Sequence, residues 1–193
     1  MKISAVILAG GQGRRLGGQD KGLVLLHGHT LIARMLDRIT PQVDEMLISA
    51  NRNIETYARF DYPVLVDGIN NFAGPLAGLY RAMMEATHPL VLAVSCDTPF
   101  LPDNLATRLL TNLLENDADI AIPFAGGRTH QVVCLCRRTI LMDLDQYLRH
   151  GGRRVDEWQG RNRRIEVLFD DPDAFANINT QEELALAEGR IGN

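Results

Sequence analysis

Seven short apolar segments, spaced by helical stretches, restrict this chain more than any other feature. They are ISAVILA (residues 3–9), EMLISA (45–50), YPVLV (62–66), PLVLAVS (89–95), ADIAIPF (118–124), QVVCLCR (131–137) and RIEVLF (164–169). Short runs that are apolar on both faces and bounded by Gly or Pro read as buried strands. Pro at the start of the third costs little, because a missing N–H matters least there. Between the strands lie helical patterns. Leu31, Ile32, Met35, Leu36 and Ile39 share one face of residues 30–40. Pro75 opens a helix over 76–86, since Pro is favoured in the first helical turn. Pro102 opens another, with Leu105, Leu109, Leu110, Leu113 and Leu114 inside. Further helices are expected over 139–149 and from Thr180 onward. Strands alternating with helices predict an α/β fold: a mostly parallel sheet covered on both sides, in a three-layer α/β/α domain spanning residues 1–193.

Composition narrows the functional classes. Of the 193 residues, 46% are apolar, enough for a sizeable core. The formal net charge of −4 argues against a partner held by a global basic field, so no nucleic acid is expected. Three Cys (Cys96, Cys134, Cys136) make a poor disulfide framework and read as buried and reduced. The N-terminal apolar run is too short for a signal peptide, and no stretch approaches a membrane span. The expectation is a cytoplasmic protein with no membrane partner.

The segment ILAGGQGRRLGGQDKG (residues 7–22) carries six Gly, two Arg and one Lys directly after the first strand. Glycines let backbone N–H groups approach a phosphate or a base edge without a Cβ in the way. Arg14, Arg15 and Lys21 can neutralise phosphate oxygens. The spacing is not that of a P-loop, because Lys21 is followed by Gly22 rather than Ser or Thr. Nor is it a dinucleotide fingerprint, because Leu16 stands where the third Gly belongs. In open α/β sheets ligands sit outside the carboxyl ends of strands, which singles out residues 10–21, Asn51, Asp67 and Asp97.

LAGGQGRRLGGQDKGL resembles the signature of enzymes that transfer a nucleoside monophosphate from a nucleoside triphosphate. SANR, VLVDG, GPLAGL, VSCDTPFL, GRRV and FANINTQEEL follow it in order. This series most resembles the molybdenum cofactor guanylyltransferases, the MobA family, over residues 7–184. The resemblance implies a Rossmann-like fold of the nucleotide-diphospho-sugar-transferase type. It implies a nucleotide-binding N-terminal half and an acceptor-binding C-terminal half. It further implies GTP as donor, Mg²⁺ as cofactor and molybdenum-molybdopterin as acceptor. Other cofactor-biosynthesis proteins or molybdoenzyme chaperones are further candidate partners. A cytidylyl or sugar-1-phosphate transferase is the alternative within the class; the second Gly of LAGG leans towards guanine, since cytidylyl relatives usually read LAAG. A non-catalytic module that delivers nucleotide or cofactor is the alternative outside it.

Asp97, at the carboxyl end of a buried strand, is a natural Mg²⁺ ligand, and the resemblance gives it that role. Arg15, Lys21 and Asp97 are the expected catalytic residues. Leu8, Ala9, Gly10, Gly11, Lys21, Asn51, Asp67 and Asp97 are the expected nucleotide contacts. Taken alone, Asn51 and Asp67 read as turn residues; the resemblance makes them contacts. Asn177 and Asn179 either project to one face of an extended segment or serve as turn and cap residues before the last helix, with Thr180 a good N-cap. The resemblance sets Asn179 near the metal. Asn177 and Asn179, together with Arg153 and Arg154, are the expected acceptor contacts; the two Arg otherwise read as a solvated loop. His130 falls in the acceptor half by resemblance.

Overall fold

The computed structural model describes residues 1–10, 19–66 and 74–191. Gly11, Arg14, Arg15 and Asp67 lie outside the described residues. In chain order, β1 (Ile3–Leu8) is followed by a short hairpin of β2 (Leu25–Leu26) and β3 (His29–Thr30), then α1 (Leu31–Ile39). Next come β4 (Glu45–Ser49), α2 (Ile54–Ala58), β5 (Val64–Leu65), α3 (Pro75–Glu85) and β6 (Leu90–Ser95). The second half holds α4 (Leu105–Glu115), β7 (Ile120–Ala125), β8 (Arg128–Thr129), β9 (Cys134–Arg137), α5 (Leu141–Arg149), α6 (Val155–Gly160), β10 (Arg164–Leu168) and α7 (Gln181–Ile191).

The main sheet has the order β10-β7-β9-β6-β1-β4-β5, with β8 joined to β7. The pairs β1–β4, β1–β6, β4–β5 and β7–β10 are parallel. β9 runs antiparallel to both β6 and β7, and β8 antiparallel to β7. The sheet is therefore mostly parallel, as expected. β9 is reversed because the chain turns back on itself at Gly126 and Gly127, between β7 and β8, and so short a turn can return the chain but not cross it over; β8 and β9 then both run against β7.

Alternation along the strands sorts the core into two layers. Ile3, Ala5 and Ile7 of β1 and Leu90, Leu92 and Val94 of β6 face α1, α2 and α4. Val6 of β1, Val91 and Ala93 of β6, and Cys134 and Cys136 of β9 face α3, α5 and α6. All three Cys are buried and free. A third cluster joins the hairpin to α7 through Val24, Leu26, Leu31, Ile178 and Ala187.

The structure corrects several boundaries. β5 has only two residues, not five. α4 begins three residues after Pro102, whose carbonyl accepts from the Leu105 amide in a preceding turn (3.1 Å). Leu114 is 43% exposed rather than inside. The expected helix over 139–149 starts at Leu141, after a 3₁₀ turn. The helices α2 and α6 were not expected; at five and six residues they are too short to show a hydrophobic period.

β1 lies between β4 and β6, so the chain leaves β1 to one side and returns on the other. That reversal opens a crevice at the carboxyl ends of β1 and β6. α3 packs closely against this rim. A Cβ on Gly78 would stand 2.6 Å from Ser49 Oγ and 2.7 Å from Leu8 Cδ2. Gly78→Ala is therefore expected to destabilise the fold by about 1–3 kcal/mol, the usual cost of overpacking. A lower urea midpoint at unchanged m would register this.

Candidate functional site

Asp97 stands two residues past the end of β6 and is 5% exposed. A buried carboxylate must be paired or hydrogen-bonded to offset lost hydration, and every side of this one is met. Lys21 Nζ donates to Oδ2 at 3.1 Å. Ser95 Oγ donates to Oδ1 at 2.5 Å, and Asn177 Nδ2 donates to the same oxygen at 3.0 Å. The Asp97 carbonyl accepts from the Ile178 amide at 2.8 Å. Lys21 also donates to Asn179 Oδ1.

The segment 177–179 reaches this cluster by strand-like alternation. Asn177 and Asn179 point their side chains to the cluster, while Ile178 is buried against the hairpin and α7. α7 begins immediately after, held by a reciprocal cap. Thr180 Oγ1 accepts from the Glu183 amide, and the Glu183 carboxylate accepts from the amides of Asn179 (2.6 Å) and Thr180 (3.0 Å). Thr180 is thus the N-cap, and the two Asn are left for the cluster.

At the end of β1 the Ala9 amide donates to Ser49 O (2.8 Å), and Leu8 O accepts from the Cys96 amide (3.2 Å). The Ala9 amide is therefore taken, and the Ala9 carbonyl is what that residue can offer a ligand. Gly10 is exposed, and a Cβ there would lie 3.4 Å from Asn51 Nδ2. The structure thus brings Gly10 and Asn51 side by side at the ends of β1 and β4.

Residues 20–22 are fastened to the chain after β4. Asp20, 8% exposed, accepts from Tyr57 Oη at 2.6 Å and from Asn53 Nδ2 at 3.0 Å. Burial, followed by the bond to Asp20, pushes the Tyr57 phenol well above its usual range, so it stays a donor. Burial and the neighbouring Asp97 carboxylate likewise push the Cys96 thiol up, which makes it a poor nucleophile.

A cavity of about 200 Å³ adjoins the cluster, lined by Ser95, Thr98, Asn177 and the 128–133 turn. His130 lines it, with its ring stacked on Phe175 at 4.7 Å between centroids. Buried Gln159 of α6 braces that turn through the Gln131 carbonyl at 2.8 Å. Arg153 donates to the carbonyls of Leu148 (3.2 Å) and Gly152 (2.7 Å). Arg154 pairs with Asp156 at 2.6 Å and Glu157 at 3.3 Å. These two Arg stand where α5 turns into α6, in contacts of their own rather than with Asp97.

Asp97 and Asn179 present two hard oxygen donors to one cation, the Lys21 ammonium. Such donors suit Mg²⁺, which takes one or two protein oxygens and completes its shell with water and phosphate. Among the described residues no group of three or more His, Cys, Asp or Glu could hold a metal. A metal here would depend on ligand oxygens.

Sequence reasoning missed Ser95, Asp20, Tyr57 and Asn53. Ser95 and Asp20 sit next to residues already singled out, one before Cys96-Asp97 and one before Lys21. Nothing in the local pattern marks Tyr57 or Asn53 as partners of Asp20, because those pairings span 37 and 33 residues.

The family model for the MobA-like NTP transferase domain matches residues 5–164. The chain is 46% identical to a Ralstonia nicotianae protein named molybdenum cofactor guanylyltransferase, over 97% of each chain. It is 45% identical to a protein of the same name from Cupriavidus necator, again over 97% of each. Among solved structures it is similar to molybdopterin-guanine dinucleotide biosynthesis protein A from Archaeoglobus fulgidus, with TM-score 0.81, 22% identity, and coverage of 100% of this chain and 99% of the other. It also shares its fold with 2-C-methyl-D-erythritol 4-phosphate cytidylyltransferase from Thermus thermophilus, with TM-score 0.74, 19% identity and 100% of both chains covered.

Burial lowers the His130 pKa below the ordinary 6.5. A neutral form favoured in the fold means that the unfolded chain binds more protons just below that value. The His130 contribution to stability therefore falls as pH drops below about 6.5. NMR titration of the His130 ring is expected to give a midpoint under that value, and Phe175→Ala, by opening the stack to water, to move it back up.

Proposed function

This chain belongs to the MobA-like NTP transferase family, and from that premise we propose that it transfers GMP from GTP to the terminal phosphate of molybdenum-molybdopterin. The products are pyrophosphate and a molybdopterin guanine dinucleotide cofactor. The observation that carries the reading is the full-length similarity to relatives named for this reaction. The Lys21–Asp97–Asn179 cluster, set at the carboxyl ends of the central strands, supports it.

An oxygen of the acceptor's terminal phosphate attacks the α-phosphorus of GTP in line. The new phosphorus–oxygen bond forms as the bond to the bridging oxygen breaks, and pyrophosphate leaves with that electron pair. No side-chain nucleophile is needed, and the protein's task is positioning and charge stabilisation. Asp97, with Asn179, would hold Mg²⁺, which when bound neutralises charge on phosphate oxygens. Lys21 and Arg15 hold the leaving pyrophosphate. Leu8, Ala9, Gly10 and Gly11 line the base, and Asn51 and Asp67 bond base or ribose. Asn177, Arg153 and Arg154 serve the acceptor, whose organic part fits the cavity beside His130. In this arrangement the N-terminal half serves the nucleotide and the C-terminal half the acceptor.

Among the described residues no helix is long and apolar enough to cross a membrane.

Incubation with GTP, Mg²⁺ and molybdenum-molybdopterin should yield the guanine dinucleotide by mass spectrometry. A product formed equally well from CTP would refute the guanylyl assignment. Asp97→Asn is expected to reduce turnover on the order of 10²–10³-fold, the typical effect of losing one electrostatic stabiliser. Near-normal turnover at saturating Mg²⁺ would remove Asp97 from the mechanism.

A further inference from the structure

Asp20 is a buried carboxylate with no ion pair to any described residue. A buried carboxylate needs hydrogen-bond donors to offset its lost hydration, and among the described residues those of Asp20 are two neutral side chains. Its two donors, Tyr57 Oη at 2.6 Å and Asn53 Nδ2 at 3.0 Å, both belong to the chain that follows β4. Asn53 adopts a left-handed conformation (φ 50°) at the start of α2, and Tyr57 is fully buried within that helix. Gly22 completes the fit, because a Cβ there would stand 2.4 Å from Tyr57 Oη. The segment 20–22 is thus held by two side chains, Asn53 at Asp20 and Tyr57 at both Asp20 and Gly22. Lys21, in its middle, is the residue whose ammonium reaches Asp97 and Asn179. Asn51, two residues before Asn53, is the side chain beside Gly10.

We infer that Asp20 is a positioning residue: through Tyr57 and Asn53 it locks the phosphate-binding Lys21 to the loop that carries Asn51, so that the two ends of the nucleotide are gripped by one rigid unit. Asp20 touches no substrate in this scheme. It acts by fixing where the Lys21 stem leaves the backbone and how far that lies from Asn51. Removing the lock frees Lys21 to explore other rotamers, and binding must then order it at an entropic cost. The inference rests on the nucleotide-binding reading given above.

The test compares wild type with Tyr57→Phe, Asp20→Asn and the exchange pair Asp20→Asn/Asn53→Asp. Tyr57→Phe keeps the buried ring and removes only the hydroxyl. Asp20→Asn sets an amide N–H₂ against that of Asn53, and the exchange restores one donor facing one acceptor. Binding of GTP and of inorganic triphosphate is measured by calorimetry, alongside thermal unfolding and the split between KM and kcat. Tyr57→Phe and Asp20→Asn are expected to weaken both ligands on the order of tenfold, as for loss of a hydrogen bond to a charged group. KM should rise more than kcat falls, and the exchange should recover most of the lost affinity. Unchanged affinity for both ligands in the single variants, with only the unfolding temperature lowered, would overturn the inference. So would an exchange that restores the unfolding temperature without restoring affinity. If Asp20→Asn does not fold, Tyr57→Phe decides alone. Wild type that binds inorganic triphosphate but not GTP would overturn the guanylyl reading instead, and the triphosphate measurements on the variants would still decide the role of Asp20.

Discussion

The buried ion pair between Lys21 and Asp97 is the contact on which this architecture turns. It closes the segment after β1 over the end of β6, and through Asn179 it draws in residues 158 positions further along the chain. With the Asp97 carbonyl holding the Ile178 amide, the start and the end of the protein are tied to one strand terminus. Lys21 is 19% and Asp97 7% exposed at the side chain, so the pair lies where water screens little. Breaking it from one side would leave a buried charge uncompensated, which costs far more than losing a surface pair.

A pair so placed is a poor device for stability, because its desolvation offsets much of its attraction. Its value lies in what it holds ready. A carboxylate, an amide oxygen and an ammonium converge at the carboxyl ends of central strands, beside backbone that Gly10 leaves open. In the proposed function these groups would meet anionic oxygens and a hard cation, and they are already in place before either arrives. The apolar layers make this affordable: α1, α2 and α4 cover one face of the sheet, and α3, α5 and α6 the other, leaving the strand ends as the place where polar groups are tolerated.

Much of this was legible in the chain itself. Strand periodicity, Pro at helix starts and the Thr180 cap are local signals, and they gave the elements and the layers because near neighbours decide them. Lys21, Asp97, Asn177 and Asn179 were singled out by residue type, position and family resemblance, and the structure brings their four side chains together. The local signals failed where the controlling contact was distant or the element short. α2 and α6 are too brief to carry a period, the reversal of β9 is a pairing decision, and Leu114 sits on the outer side of a helix whose inner face was read correctly.

The sequence alone determined that an apolar strand would run into a glycine-rich basic segment, that an aspartate would end another buried strand, and that paired asparagines would precede a capped helix. Those are properties of residue type and spacing, and they suffice to indicate phosphate chemistry. Only the tertiary structure decided that these pieces meet. It set β1 between β4 and β6, made Lys21 the partner of both Asp97 and Asn179, and bound Asp20 to Tyr57 and Asn53. The reason is physical: alternation and capping are governed by neighbours a few residues apart, whereas the partner of a buried polar group is whichever distant segment the sheet order carries within hydrogen-bonding reach.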